Sequence, residues 1–393
     1  MERHYGMDWL RIGAFALLIF YHIGMVFVPW GYHVKTAVPL DWVEFPMLAS
    51  NAWRLSLLFT VSGFATAAVL ARSRAMGNFL RDRTARLLVP TLFAALVIVP
   101  PQPWVELVTQ HGYSASLAHF WAHDYFRFGT LEGIVLPTWQ HLWFVVYLWA
   151  YTLALAALLA LIPAVARAGI ARVADRLLGG PGLLVVPLAW LAVHLAISGA
   201  RAEPTHALVG DWVAHRIYFP AFLFGVFLAD APRVWAAIRR WWRAAGLLAL
   251  LGYAMVAGIL LLWDLGAIPN TTLRLPFAAA RLVMGWCAIV ALIGLADRFW
   301  NRDHPWRHML TEAVFPFYII HQTIIVVVGW YLLRFALPAG AEFAILLVTT
   351  VAGCWIFYLA GRKVGWLRPL IGLRPLARRA ASATKAAPAL GVQ

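Results

Sequence analysis

Asp8-Trp-Leu-Arg11-Ile-Gly-Ala-Phe-Ala-Leu-Leu-Ile-Phe-Tyr-His22-Ile-Gly-Met-Val-Phe-Val-Pro29 is an apolar run long enough to cross a bilayer, and it carries an acid, a guanidinium and an imidazole. At about 100° per residue, the step from Arg11 to His22 returns to within ~20° of the same helix face and covers about 16 Å along the axis. One face of one helix therefore presents a cation near a membrane surface and a histidine at depth. Ionisable groups at such depth are costly and tend to line a cavity or pathway.

Working outward from this run, 63% of the 393 residues are hydrophobic and 12% are charged, which excludes an ordinary soluble domain. Apolar runs near 8–29, 50–71, 87–103, 139–162, 182–199, 215–231, 244–263, 276–296, 313–335 and 342–361 predict an all-α polytopic bundle of about ten transmembrane helices. Loops 72–86, 164–181, 232–243 and 297–312 and the tail after 361 concentrate the arginines, whereas the alternate loops hold only Lys35, Arg127, Arg201 and Arg274. The positive-inside rule then places both termini in the cytoplasm, and the net charge of +15 reflects topology, not a nucleic-acid surface. The reading is a multi-pass membrane protein. Residues 1–361 are its membrane domain, and 362–393 are a basic cytoplasmic tail, expected to be flexible and to lie near anionic lipid. Self-association is left open.

The largest outward segment, 104–138, contains His111, His119, His123, Asp124, Arg127 and Glu132 and reads as a short structured cap. His119 and His123 lack a third clear ligand, so no metal site is expected. Cys287 and Cys354 sit inside apolar runs and indicate no disulfide framework. No Gly-rich phosphate loop and no inverted repeat is present.

Several stretches coincide with a known pattern. Arg11 followed at ten intervening residues by His22, Phe59-Thr-Val-Ser62-Gly63-Phe64, Arg83-Thr-Ala-Arg86 ahead of Pro90, Gln140-His141-Leu-Trp143-Phe144 and Phe315-Pro-Phe-Tyr318-Ile-Ile-His321-Gln322 occur in order along the chain. Together they resemble the acyltransferase-3 family of membrane O-acyltransferases. Trp30-Gly-Tyr-His33 after the first helix, Arg54 eight residues before Ser62, and His141-Leu-Trp-Phe are most similar to the members that succinylate periplasmic glucans. The neutral Ser56 stands where many relatives carry an acidic residue. The resemblance implies an acyl-CoA donor, with succinyl-CoA as co-substrate, no permanently bound cofactor, and a periplasmic glucan or other extracytoplasmic saccharide as acceptor.

The residues support that chemistry independently. An acyl-CoA has a highly anionic nucleotide end, and Arg11, Arg83 and Arg86 form a basic inward face with bidentate geometry for phosphate. Asp8, one turn from Arg11, is expected to orient it, with an ordinary helix-end ion pair as the alternative. His22 is the expected catalytic group, as a general base on a sugar hydroxyl or as an acyl-carrying nucleophile. His321 lies near the donor path. Arg54 is the candidate for pairing with the free carboxylate of a succinyl group, with Arg281 as second choice. His141, Trp143, Trp30 and His33 are placed with the acceptor. Ser62-Gly63 reads as a close-packing element. The rival reading is a secondary transporter or flippase with Arg11 and His22 lining a path.

Overall fold

The structure, a computed structural model, describes residues 4–264, 266–269 and 272–375. Its helices are α1 (Tyr5–Phe27), α2 (Glu44–Arg72), α3 (Met76–Phe93), α4 (Pro101–Gln110), the single turn α5 (Leu117–His119), α6 (Trp143–Leu161), α7 (Ala164–Leu178), α8 (Gly182–Ser198), α9 (Trp212–Leu228), α10 (Pro232–Leu260), α11 (Arg274–Phe299), α12 (Pro305–Leu332), α13 (Ala339–Lys363) and the short α14 (Leu367–Leu370). One antiparallel hairpin, β1 (Gly129–Leu131) with β2 (Ile134–Leu136), pairs Gly129 with Leu136. The chain is thus a multi-pass all-α membrane bundle.

All ten apolar runs lie in helices, but among the described residues eight segments are long and apolar enough to cross a membrane on their own. The runs at 182–199 and 215–231 fall short. α8 and α9 have 17 residues each, about 25 Å against a hydrocarbon core of about 30 Å. α8 reaches spanning length only together with α7, from which it is bent by 102°.

The third span is not one α-helix. Residues Ala94–Ile98 widen into a π-helical turn, and Pro100, Pro101 and Pro103 bring no N–H to the carbonyls of the preceding turn. Side chains take those carbonyls instead. Tyr125 donates to Ala95 at 2.7 Å, Trp121 to Leu96 at 2.8 Å, and Thr323 to Ile98 at 2.8 Å. The cap segment is held to the bundle by the first two of these bonds, with Tyr125 and Phe120 fully buried.

α2 and α9 meet at backbone distance. A Cβ at Gly63 would collide with the Phe222 carbonyl, and one at Gly225 with the Thr60 carbonyl. Ser62-Gly63 therefore serves close packing, which fixes the C-terminal half of α2 against α9.

The tail expected to be flexible from 362 is structured as far as Pro375. α13 continues to Lys363, and α14 turns the chain back so that Ile371 and Leu373 bury against Ala313 and Tyr358. Apolar residues scattered among the arginines supply that anchor. Residues 376–393, the rest of the expected tail, lie outside the described residues.

Candidate functional site

Three histidines from three helices converge. His22 on α1 and His321 on α12 stack with ring centroids 5.0 Å apart, and His141, just before α6, lies 5.2 Å from His321 and 6.5 Å from His22. Their bonds fix the tautomers. Nδ1 of His321 donates to the backbone carbonyl of Tyr318 at 2.9 Å, because a carbonyl only accepts. In the neutral ring its Nε2 is then an acceptor, and Nδ1 of His22, 2.8 Å away, must donate to it. His22 is left with a free lone pair on Nε2, the arrangement a general base needs. His141 donates from Nε2 to the same Tyr318 carbonyl at 3.0 Å. Its Nδ1 is buried without a partner.

Below this cluster, at the end of the bundle that holds both described termini, lies a cavity of about 530 Å³ lined by Arg11, Arg83, Arg86, Arg368 and Arg374, with Glu312 as the carboxylate in its wall. Arg11 donates to the Thr311 carbonyl at 3.2 Å and Arg83 to the Thr66 hydroxyl at 2.7 Å, and the Nε of each is buried without a partner. The cavity's apolar inner wall includes Phe15, Phe144 and Tyr318. The rings of Phe15 and Tyr318 lie 5.7 and 6.0 Å from that of His321, so the basic chamber ends against the histidine cluster.

Arg54 is 4% exposed, with its guanidinium carbon 3.3 Å from the centroid of the Tyr21 ring. Its Nε and Nη1 have no partner. Neither Asp41 nor Glu44, the acids that precede it in the chain and could have paired with it, bonds it among the described residues, and Glu44 instead accepts from the Trp30 indole at 2.7 Å. Arg281, the second choice for a carboxylate, is engaged with Glu203 at 3.2 Å and Asn51 at 3.0 Å. Asn51 in turn donates to Tyr21 at 2.8 Å, which seats the ring under Arg54.

Other expected residues have different neighbours from those their spacing suggests. Asp8 does not hold Arg11 by a hydrogen bond. It accepts from Arg307 at 2.7 Å, and Arg307 also binds Asp303 at 2.7 Å. His33 donates from Nδ1 to Glu106 at 2.5 Å and accepts at Nε2 from Gln322 at 3.2 Å, so both ring nitrogens are taken. Trp143 is 8% exposed under the imidazole of His206, which stacks on it at 4.1 Å.

A buried polar chain that sequence reasoning missed runs beside the histidines. Gln322 donates to Gln102 at 3.0 Å, Gln102 to Thr323 at 2.7 Å, and Thr323 onward to Ile98. The signal was present in Gln322, a second polar residue directly after His321 in an apolar run. Glu106 was hidden because the prolines suggest a helix end near 103, whereas α4 runs to Gln110.

The cysteines Cys287 and Cys354 are free and buried. In the cap, His119 and His123 have ring centroids 4.7 Å apart, with Asp124 held by Arg127 at 2.8 Å and by the Tyr113 hydroxyl. Among the described residues no group of three or more His, Cys, Asp or Glu is placed to hold a metal ion.

A family profile described as an acyltransferase domain matches residues 4–359. No curated protein and no solved structure matches the chain.

Proposed function

The chain belongs to the acyltransferase-3 family of membrane enzymes, and from that premise we propose that it moves a succinyl group from cytoplasmic succinyl-CoA to a hydroxyl of a periplasmic glucan in the bacterial inner membrane. The observation that carries this reading is that the arginine-lined cavity ends on Phe15 and Tyr318, whose rings lie against His321 of the histidine cluster. A polyanionic nucleotide suits Arg11, Arg83 and Arg86, each of which offers guanidinium N–H groups to phosphate. The apolar inner wall suits the pantetheine arm, and the thioester then comes to rest by His22.

In the proposed step Nε2 of His22 takes the proton of an acceptor hydroxyl while its oxygen attacks the thioester carbonyl. The C–S bond breaks, and the departing thiolate recovers the proton from His22. His321 holds His22 through Nδ1 and keeps Nε2 unprotonated at rest. His141, with an unused acceptor lone pair on Nδ1, is placed to receive a second hydroxyl of the sugar. The unpartnered nitrogens of Arg54 suit a carboxylate a few bonds beyond the thioester. This supports succinyl over acetyl as the group transferred.

The test is purified protein in proteoliposomes supplied with succinyl-CoA and linear or cyclic glucans, with free thiol and glucan mass followed together. Stoichiometric thiol release and a succinyl mass increment on the glucan are expected. Movement of substrate across the membrane without thiol release would replace the enzyme reading with that of a transporter.

A further inference from the structure

The cavity is closed on one side by the end of the chain. Arg368, Gly372, Leu373 and Arg374 belong to its wall, together with His308 at the start of α12. The segment is anchored, not draped. Ile371 is fully buried and Leu373 is 4% exposed, and Arg368 donates to the carbonyls of Arg374 at 2.6 Å and Arg362 at 2.8 Å. Arg374 makes no side-chain bond of its own among the described residues, yet it lies near enough to Arg86 to repel it, as does Arg11.

Such crowding of like charges is unfavourable in the empty chamber. Arg374 is exposed and Arg368 half-buried, but the two apolar anchors keep both in the cavity wall. A bound anion with several charges reverses the sign of the interaction. Arg11 and Arg83 already face the cavity with buried, unsatisfied Nε atoms, so unfilled donors are present on the opposite wall as well. Resting on the donor reading above, we propose that the folded-back segment Arg368–Arg374 is a phosphate clamp, in which Arg374 and Arg368 close over the phosphates of the donor's nucleotide against Arg83 and Arg86. The clamp fixes where the donor sits and does not touch the reacting atoms.

The test compares Arg374→Gln and the double variant Arg368→Gln, Arg374→Gln with the wild type in nanodiscs. Two donors are used: succinyl-CoA and a nucleotide-free succinyl-pantetheine thioester. Loss of a charge-assisted hydrogen bond predicts a KM for succinyl-CoA higher by about tenfold or more. The KM for the pantetheine thioester should be unchanged. Arg374→Gln carries the argument if the double variant fails to fold, because Arg368 also ties down the segment. Equal KM values with succinyl-CoA in wild type and Arg374→Gln would overturn the clamp, as would equal losses with both donors. An effect seen only in anionic, not in zwitterionic, nanodiscs would assign the phosphate to a lipid headgroup and overturn it too. Direct binding of 3′,5′-ADP keeps the clamp separate from the reaction. If the wild type releases no CoA but binds this nucleotide more tightly than Arg374→Gln, the transfer reading fails and the clamp stands.

Discussion

At the end of the bundle holding the termini, five arginines face one cavity with Glu312 as its carboxylate, whereas several charged groups at the opposite end are taken up by partners within the protein. There Glu106 accepts from His33, Arg281 is held by Glu203, Arg127 by Asp124, and Glu342 accepts from the Thr36 hydroxyl at 2.7 Å. Asp211 caps α9 by accepting from Ala214 at 3.1 Å, and it also accepts from Tyr147 at 2.8 Å. Those partners hold the fold, whereas a nitrogen of the site that is buried without a partner among the described residues is, on the proposed reading, open to something that arrives. Arg54 and the Nδ1 of His141 fall in the second class although they lie above the cavity.

The sharpest way to break this contrast is at the free lone pair of His22. His22→Ala is expected to lower turnover by about 10²–10⁴-fold, the usual worth of a general base, with acyl-CoA affinity nearly intact. A variant that keeps a tenth of wild-type turnover would remove His22 from that role. Next in size is Arg83→Glu with Arg86→Glu. Two lost charge-assisted contacts of about 1.5–3 kcal/mol each predict donor affinity lower by about a hundredfold or more, with acceptor affinity unchanged. Because these arginines, on α3, also belong to the basic segment that sets orientation, site-directed labelling of 72–86 must show the native topology. Unchanged acyl-CoA binding in a correctly oriented double variant would leave them a topological role alone.

Arg54→Gln should sharpen the contrast through selectivity. Succinyl transfer is expected to fall about tenfold or more relative to acetyl transfer, since only the charged donor leaves a carboxylate unpaired. Equal losses with the two donors would make Arg54 structural. On the satisfied side, Glu106→Ala strands the Nδ1–H of His33, a cost of about 1–3 kcal/mol read as a lower melting temperature. Donor affinity should not move, and a change in it would merge the two classes.

The smallest effect is expected at His206 in the loop before α9. Burial against Trp143 pushes its imidazole below the ordinary histidine value, opposed by Asp211 and Glu203. The stacked loop therefore favours the neutral ring, and its stability falls as pH drops below about 6.5. Protection factors for hydrogen exchange over 203–208 should fall between pH 7 and pH 5 in the wild type and be independent of pH over that range in His206→Gln. A wild-type profile equally flat would detach the loop from this titration.

The spans were legible because hydrophobic length is a local property, and each of the ten apolar runs became a helix. The two that fell short as spans were limited by length, which the run boundaries blur by a few residues. The three histidines were each visible as polar residues at depth. Their meeting was not, since His22 and His321 are 299 residues apart and the shared Tyr318 carbonyl is 177 from His141. Spacing within one helix also misled at Asp8, where Arg11 was the sequence neighbour but Arg307 was the partner that packing delivered. Arg368 and Arg374 were absorbed into a count of topological charge, because nothing local shows that Ile371 and Leu373 fold the chain back.

The Tyr318 carbonyl that orients His141 and His321 has a further consequence for how this site can be mapped. Main-chain oxygen has no codon. Replacing the Tyr318 side chain leaves that acceptor in place, so a scan by substitution can flag all three imidazoles and still pass over the atom that aims two of them. What moves it is the path of α12 itself, which Pro316 interrupts two residues earlier. Lengthening or straightening that helix is thus the genetic handle on an anchor that point mutation cannot erase.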